Sequence, residues 1–232
     1  MMGTLMTGTA NQVLRRNASR IRDRIFAILG LSEPPRLWNP PAMRHIALFL
    51  GLLASCLADT GGKIVEAART QVGVTTKYDP AYTKLTYPNG DVPADRGVCT
   101  DVLIRAMRKG LEVDLQRIVH EDMSANFSTY PKSWGLKRPD PNIDHRRVPN
   151  LQTLLKRRGC KLPLDPAKPD PKDFLPGDIV TCTVPPHLPH VMIVSDRKTD
   201  AGTPLVIHNI GAGAREEDSL FTYPLSGHYR WK

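Results

Sequence analysis

The chain has 232 residues, 41% of them hydrophobic and 24% charged, which is the composition of a globular protein with one core or two small ones. Its net charge of +9 comes from 32 Lys and Arg against 23 Asp and Glu, and no dense basic stripe with interleaved aromatic residues accompanies it. These features argue against nucleic acid as a partner, whereas a mildly basic surface suits an anionic polymer of the cell envelope.

The N-terminal part predicts an export signal. Residues 43–58 place Met43-Arg44-His45 before an apolar run that is far shorter than the roughly 20 residues of a membrane span, as is typical of a secretory signal. Residues 1–42 precede this signal, and we expect them to be a mis-assigned start or a discarded leader. The predicted mature domain covers residues 59–232, and we expect it to be exported to the periplasm.

A cysteine at the end of this signal predicts a lipid anchor. Leu53-Ala54-Ser55-Cys56 resembles a bacterial lipobox, in which Cys56 carries the lipid and becomes the mature N-terminus. Cleavage after Ala58 by an ordinary signal peptidase and a buried N-terminal helix are the two alternatives. Contact with a membrane is expected only through this lipid.

Helical patterns come first in the mature chain. A long loop is predicted over residues 78–97, where Pro and Asn-Gly turn signals separate the first helix from the second. Gly110 and Gly159 follow the second and the fourth helix at the usual position of a C-terminal cap. The predicted helices are Gly62–Val72, Cys99–Lys109, Leu115–Asn126 and Asn150–Arg158.

Strand patterns follow in the last third of the chain. Four short runs bounded by Gly, Pro or Asp are rich in β-branched or aromatic residues and predict an antiparallel sheet. They are Asp178–Thr183, His190–Ser195, Pro204–Asn209 and Gly227–Trp231. Because the helices precede the strands instead of alternating with them, the predicted fold class is α+β.

A cysteine at the start of the second predicted helix is the sharpest chemical signal. Cys99 follows the loop Asp95-Arg96-Gly97-Val98 and opens a helix with an apolar face. The unpaired N–H groups and the positive dipole end of a helix stabilise a thiolate, and the same N–H groups can form an oxyanion hole. These features predict a nucleophile, although a buried and inert cysteine produces the same local pattern.

Two histidines supply a candidate base and its partner. His190 begins one predicted strand and His208 lies near the end of the next. If these strands pair as a hairpin, both residues lie near the same end of the sheet. His190 can then accept the thiol proton while His208, or alternatively Asn209, orients its ring. Two satisfied core histidines are the structural alternative.

The order of these motifs resembles a known class of enzymes. A cysteine at a helix N-terminus, a Pro-Gly-Asp strand, a His-Val strand and an Ile-His strand are similar to the NlpC-type peptidases of the papain-like superfamily. The wider sequence from Val74 to Trp231 resembles the exported bacterial family known as domain of unknown function 1287. The shared blocks include Tyr78-Asp79-Pro80, Gly90-Asp91-Val92-Pro93, Arg96-Gly97-Val98-Cys99-Thr100-Asp101, Arg138–Arg147 and His208-Asn209-Ile210-Gly211.

This resemblance implies both a fold and an activity. The implied fold is papain-like, with N-terminal helices packed on a C-terminal antiparallel sheet. Cys99 is implied to be the nucleophile, His190 the base and His208 the orienting residue of an amide-bond hydrolase that needs no cofactor. Its implied substrate is the peptide part of peptidoglycan. Val98 before the cysteine and Thr100 after it depart from the Asp and Ser that such enzymes commonly have.

Polar residues around these motifs are candidates for substrate binding. Arg146 and Arg147 belong to a Pro-punctuated loop and could clamp a substrate carboxylate, or could hold the loop together by salt bridges. Asp101 suits the first turn of its helix, but its charge opposes a thiolate unless a cation such as Arg96 offsets it. The candidate set is Tyr78, Arg96, Asp101, Arg146 and Arg147.

Two other functions and one disulfide remain as alternatives. A zinc-dependent hydrolase would take its ligands from His187, His190 and His208, or from Cys182, although Cys99 would then have no role. A non-catalytic domain that binds envelope peptides in the same cleft is the second alternative. Cys160 and Cys182 are interpreted either as a disulfide or as two buried free thiols.

Overall fold

The structure, a computed structural model, describes residues 60–232. All of these residues belong to one structural unit, Leu53–Lys232. The predicted leader over residues 1–42, the signal over residues 43–58 and the lipidation site Cys56 lie outside the described residues. Among residues 60–232, no helix combines the length and the apolar character needed to cross a membrane.

Four α-helices form one layer of the described domain, as predicted. The first is described over residues 60–69 and is followed by a turn, so it ends three residues before the predicted Val72. The others agree with the predicted helices to within two residues at each end. We label the helices α1 (60–69), α2 (Cys99–Leu111), α3 (Leu115–Ala125) and α4 (Val148–Arg157).

The predicted end of α2 at Gly110 is wrong, and packing explains why a glycine stands there. Helix α2 continues through Leu111, and Glu112 caps it in the left-handed conformation with φ of 58°. A Cβ on Gly110 would lie 2.6 Å from the carbonyl oxygen of Lys63 in α1. The glycine therefore permits the close approach of two helices.

A five-stranded antiparallel sheet forms the second layer, which confirms the α+β fold class. Its strands are β3 (Ile179–Val184), β4 (Leu188–Lys198), β5 (Pro204–Asn209), β6 (Ala214–Glu217) and β7 (Leu225–Tyr229), in the spatial order β6-β5-β4-β3-β7. Strand β6 was not predicted. The predicted loop before α2 also contains a small parallel pair, β1 (Lys77–Tyr78) and β2 (Arg96–Gly97).

Side chains alternate between two cores on the faces of this sheet. The larger core lies between the sheet and the helices, and the smaller one lies on the opposite face, where Phe174 and Leu220 cover it. In β4, Val191 and Ile193 belong to the larger core, whereas Met192 and Val194 belong to the smaller one. Cys99 joins the larger core, so the first turn of α2 packs directly against the sheet.

Candidate active site

Cys99 is the first residue of α2, and backbone N–H groups surround its sulfur. Its thiol is buried, and burial raises its pKa to about 11. The N–H groups of Val191 and Thr100 oppose this effect by facing the sulfur, whereas the carboxylate of Asp101 adds to it. The sulfur therefore rests as a neutral thiol, in a pocket of donors that can stabilise negative charge.

The carboxylate of Asp101 holds the backbone that leads into Cys99. Asp101 Oδ2 accepts a hydrogen bond of 2.6 Å from the N–H of Val98, which precedes the helix. A Cβ on Gly97 would lie 2.9 Å from both the Cβ and the Oδ2 of Asp101. The absence of a side chain at Gly97 is thus a condition for the turn that presents the cysteine.

The structure brings His190 and His208 into direct contact. Nε2 of His190 lies 2.8 Å from Nδ1 of His208, and both rings are buried. Burial, followed by the charge of His208, lowers the pKa of His190 to about 3, and burial also lowers the pKa of His208. Both imidazoles are therefore neutral at physiological pH. Within residues 60–232, Nδ1 of His190 makes no hydrogen bond.

Cys99 packs against β4 at Val191, the residue that follows His190. The N–H of Val191 faces its sulfur, and the paired residues of β4 and β5 begin at Ile193 and Ile207, which leaves the N–H of Val191 to the thiol. By the alternation of β4, His190 leaves the strand toward the face opposite Val191. No hydrogen bond joins the sulfur to the imidazole in the described residues, where the His190 ring bonds only to His208.

A carboxylate that sequence reasoning missed stands behind His208. Oε1 of Glu217 lies 2.9 Å from Nε2 of His208, and the side chain of Glu217 is 35% exposed. Glu217 ends β6, the strand that was not predicted. Its sequence signal is the glycine-rich turn containing Gly211 and Gly213, which allows the chain to return beside β5.

Asn209, the alternative partner of His190, contacts a different group. Its Nδ2 donates a hydrogen bond of 2.9 Å to the carbonyl oxygen of Gly97, and its Oδ1 accepts one of 3.1 Å from the N–H of Gly211. Asn209 therefore fastens the end of β5 to the residues just before Cys99. It sets the position of α2 on the sheet, and His208 is the residue that meets His190.

Asp101 and Arg146 bind each other rather than presenting their charges to a ligand. Arg146 Nε and Nη2 lie 2.9 Å from the two carboxylate oxygens, and its remaining groups donate to the carbonyl oxygens of Asp79 and Ala81. The two side chains are only 2–3% exposed. The substrate-binding role predicted for this pair is accordingly revised, because a clamp needs donors that are free to meet the substrate.

The other three candidates lie nearer the surface. Tyr78 is half-exposed, and its pKa is raised by burial and then by the nearby Cys99. Arg96 pairs with Asp95 at 3.2 Å. Arg147 packs over the ring of Trp134, with its guanidinium carbon 4.2 Å from the ring centroid, and pairs with Asp144 at 3.3 Å.

The remaining cysteines and histidines form neither a disulfide nor a metal centre within residues 60–232. Cys160 and Cys182 are free and buried, and they belong to the two cores on opposite faces of the sheet. Cys182 lies directly opposite His190 in the β3–β4 register. No group of three or more His, Cys, Asp or Glu side chains in the described part is arranged to hold a metal ion.

Comparison with known proteins agrees with the extent of this domain. Residues 65–231 match the family described as "Domain of unknown function (DUF1287)". A curated protein of Escherichia coli (strain K12), described as "Uncharacterized protein YijF", is 55% identical over 174 residues, which are 75% of this chain and 83% of that protein. The family match includes all of the site residues from Tyr78 to Glu217.

Proposed function

The chain belongs to the DUF1287 family, and we propose that it is a cysteine hydrolase of the papain-like, NlpC-type class that cleaves an amide bond in peptidoglycan peptides. Cys99 is the nucleophile, His190 is the base and His208 orients the base. The function requires no cofactor. The mildly basic surface supports an anionic envelope polymer as substrate, through attraction that salt weakens.

One observation carries this proposal: the helix N-terminus bearing Cys99 and the hydrogen-bonded histidine pair converge on two adjacent residues of β4. Val191 turns its N–H to the sulfur, and His190, the preceding residue, is bonded to His208. A purely structural histidine pair does not need a cysteine at the N-terminus of a helix beside it. The combination matches the needs of nucleophilic catalysis by a thiol.

The proposed reaction proceeds through a thioester. Nδ1 of His190 accepts the thiol proton as the sulfur of Cys99 attacks the carbonyl carbon of the substrate. Backbone N–H groups at the start of α2 stabilise the negative oxygen of the tetrahedral intermediate. The proton passes to the leaving amine when the C–N bond breaks. Water, deprotonated by His190, then attacks the thioester and releases the acid and the thiol.

Burial holds the catalytic pair neutral at rest. It raises the pKa of Cys99 to about 11 and lowers that of His190 to about 3, so proton transfer between them is unfavourable while both are buried. Polar groups of a bound substrate would favour both charged forms, because charges are stabilised where polar groups surround them. We therefore expect the thiol to react slowly at neutral pH in the absence of substrate.

The proposal extends to the fold and the location. Helices that precede an antiparallel sheet, with the cysteine on the helix that packs against it, support a papain-like topology. The expected export signal over residues 43–58 and the lipobox cysteine Cys56 support action in the periplasm or at the lipid surface that faces it. Peptidoglycan is the amide-rich polymer of that compartment.

Digestion of purified peptidoglycan tests the proposed activity. The wild-type chain is compared with Cys99→Ala, with His190→Gln and with Cys160→Ala, which removes a buried thiol outside the site. We expect mass spectrometry to detect new peptide fragments from the wild type and Cys160→Ala only. Fragments that persist in Cys99→Ala contradict the mechanism. Binding of peptidoglycan without any cleavage by the wild type favours the non-catalytic binding domain instead.

A further inference from the structure

Glu217 ends β6 with its carboxylate directed at the histidine pair. Its Oε1 lies 2.9 Å from Nε2 of His208, and in the described residues it pairs with no Lys or Arg. The preceding residue, Glu216, is held instead by Arg69, Arg197 and the hydroxyl of Ser195. Adjacent glutamates thus have different partners, and only Glu217 extends the site.

We infer that Glu217 is a positioning residue that, through His208, fixes the tautomer of His190 so that Nδ1 of His190 is the proton acceptor. The catalytic meaning of this inference rests on the proposed function. The tautomer itself is a property of the folded chain, and it is measurable whether or not the protein cleaves a substrate.

The direction of each hydrogen bond follows from the one before it. An ionised carboxylate only accepts, so Nε2 of His208 must carry the hydrogen that it shares with Glu217. A neutral imidazole has one N–H, which leaves the lone pair of His208 on Nδ1. Nε2 of His190, 2.8 Å away, must therefore donate, and the lone pair of His190 remains on Nδ1.

This arrangement prepares His190, at the end of the hydrogen-bonded series opposite Glu217, for catalysis. Nδ1 of His190 is the ring nitrogen that has no hydrogen bond among the described residues, and it is the one left able to accept a proton. The opposite tautomer would place a hydrogen there and make His190 a donor toward the thiol. The carboxylate of Glu217 also stabilises a protonated His190, because opposite charges attract across the intervening ring of His208.

The groups on neighbouring strands that face the hydrogen-bonded histidines do not supply a second acceptor for His208. On β3, Cys182 lies opposite His190, and on β6, Arg215 lies opposite His208. A thiol is a weak donor and a guanidinium has no acceptor, so neither can replace the carboxylate. Glu217 is accordingly the group on which the tautomer depends.

Histidine NMR on the 15N-labelled full chain tests the inference. The proteins compared are the wild type, Glu217→Leu, Glu217→Gln and the neighbouring control Glu216→Gln. Wild type and Glu216→Gln are expected to hold His190 in the Nε2–H tautomer. Glu217→Leu is expected to populate both tautomers, and Glu217→Gln to hold more of the wild-type one than Glu217→Leu does, because its amide oxygen can accept although its NH2 group can also donate.

Two results overturn the inference, and neither depends on turnover. One is a wild-type His190 with its hydrogen on Nδ1, and the other is an unchanged tautomer in Glu217→Leu. If wild-type hydrolysis is detected, kcat is expected to fall about tenfold or more in Glu217→Leu and less in Glu217→Gln. A wild type that has the expected tautomer but cleaves nothing contradicts the proposed function while supporting the role of Glu217.

Discussion

Two polar networks lie near Cys99. In the first, which we call the filled network, Asp101 and Arg146 form hydrogen bonds with each other and with the backbone. Asp101 and Arg146 are joined by two contacts of 2.9 Å, and their side chains are 3% and 2% exposed. The carboxylate also accepts from Val98, and the guanidinium donates to two backbone carbonyl oxygens. This network has no evident capacity for a ligand.

The second network is open at both ends. His190, His208 and Glu217 form a chain of hydrogen bonds of 2.8 and 2.9 Å, and the far carboxylate is 35% exposed. At the near end, Nδ1 of His190 has no partner within residues 60–232. The comparison teaches that the two networks differ in their free hydrogen-bonding capacity: Asp101 and Arg146 use theirs on each other and on the backbone, whereas the histidine pair keeps an unbonded ring nitrogen.

The largest expected effect comes from breaking the filled network. Arg146→Met should lower the free energy of unfolding by about 3–5 kcal/mol, because it leaves the Asp101 charge buried without its partner. Urea denaturation followed by circular dichroism measures this loss. Alkylation of Cys99 in the folded variant tests separately whether α2 begins correctly without the pair.

A surface pair provides the matched control. Arg157 and Asp122 form an ion pair of 2.8 Å whose side chains are 34% and 25% exposed. Arg157→Met makes the same chemical change in contact with water, and its expected cost is about 1 kcal/mol or less. Equal losses in the two variants would show that the buried pair is not the structural anchor described here.

Periodicity predicted most of the fold because the apolar faces of the helices and strands are regular. Helix α3 and strand β5 lie within one residue of their predicted bounds. Errors occurred where tertiary packing decides the outcome. Gly110 resembles a helix cap but serves a close contact between helices, and β6 is too short and too charged to show strand periodicity.

The candidate site was predictable in part for a similar reason. The contact of His190 with His208 follows from pairing two adjacent strands, which sequence order supports. The partners of Arg146 and Glu217 depend on long-range contacts across 45 and 9 residues, and residue type does not reveal which charge each one meets. Sequence patterns can thus nominate polar residues, while only the fold shows which are already occupied.

The pH dependence of the free energy of unfolding should distinguish buried His145, which is next to Arg146 of the filled network, from exposed histidines. Burial, followed by the charge of Arg146, lowers the pKa of His145 to about 4. Between pH 6.5 and 4 the unfolded chain binds a proton that native His145 does not, so stability is full above pH 6.5 and falls with acidity. His145 should account for about 2 kcal/mol of the loss between pH 7.5 and pH 5.

Urea denaturation of variants at these two pH values isolates this contribution. His145→Leu should lose about 2 kcal/mol less than the wild type on acidification, whatever its stability at pH 7.5. His187→Leu, which alters an exposed histidine, should retain the wild-type pH dependence. An unchanged acid loss in His145→Leu would mean that this residue binds its proton equally in both states.

The smallest expected effect concerns Asn209, whose side chain forms no hydrogen bond with the residues of either network. Asn209→Ala removes the hydrogen bond of 2.9 Å to Gly97 and should lower the free energy of unfolding by about 1.5 kcal/mol, because the Gly97 carbonyl loses one of its two donors and the N–H of Gly211 loses its acceptor. The tautomer of His190 should stay as in the wild type, since Glu217 sets it through His208. Thermal denaturation and histidine NMR on one sample measure both. A changed tautomer without a loss of stability would make Asn209, rather than His208, the residue that orients His190.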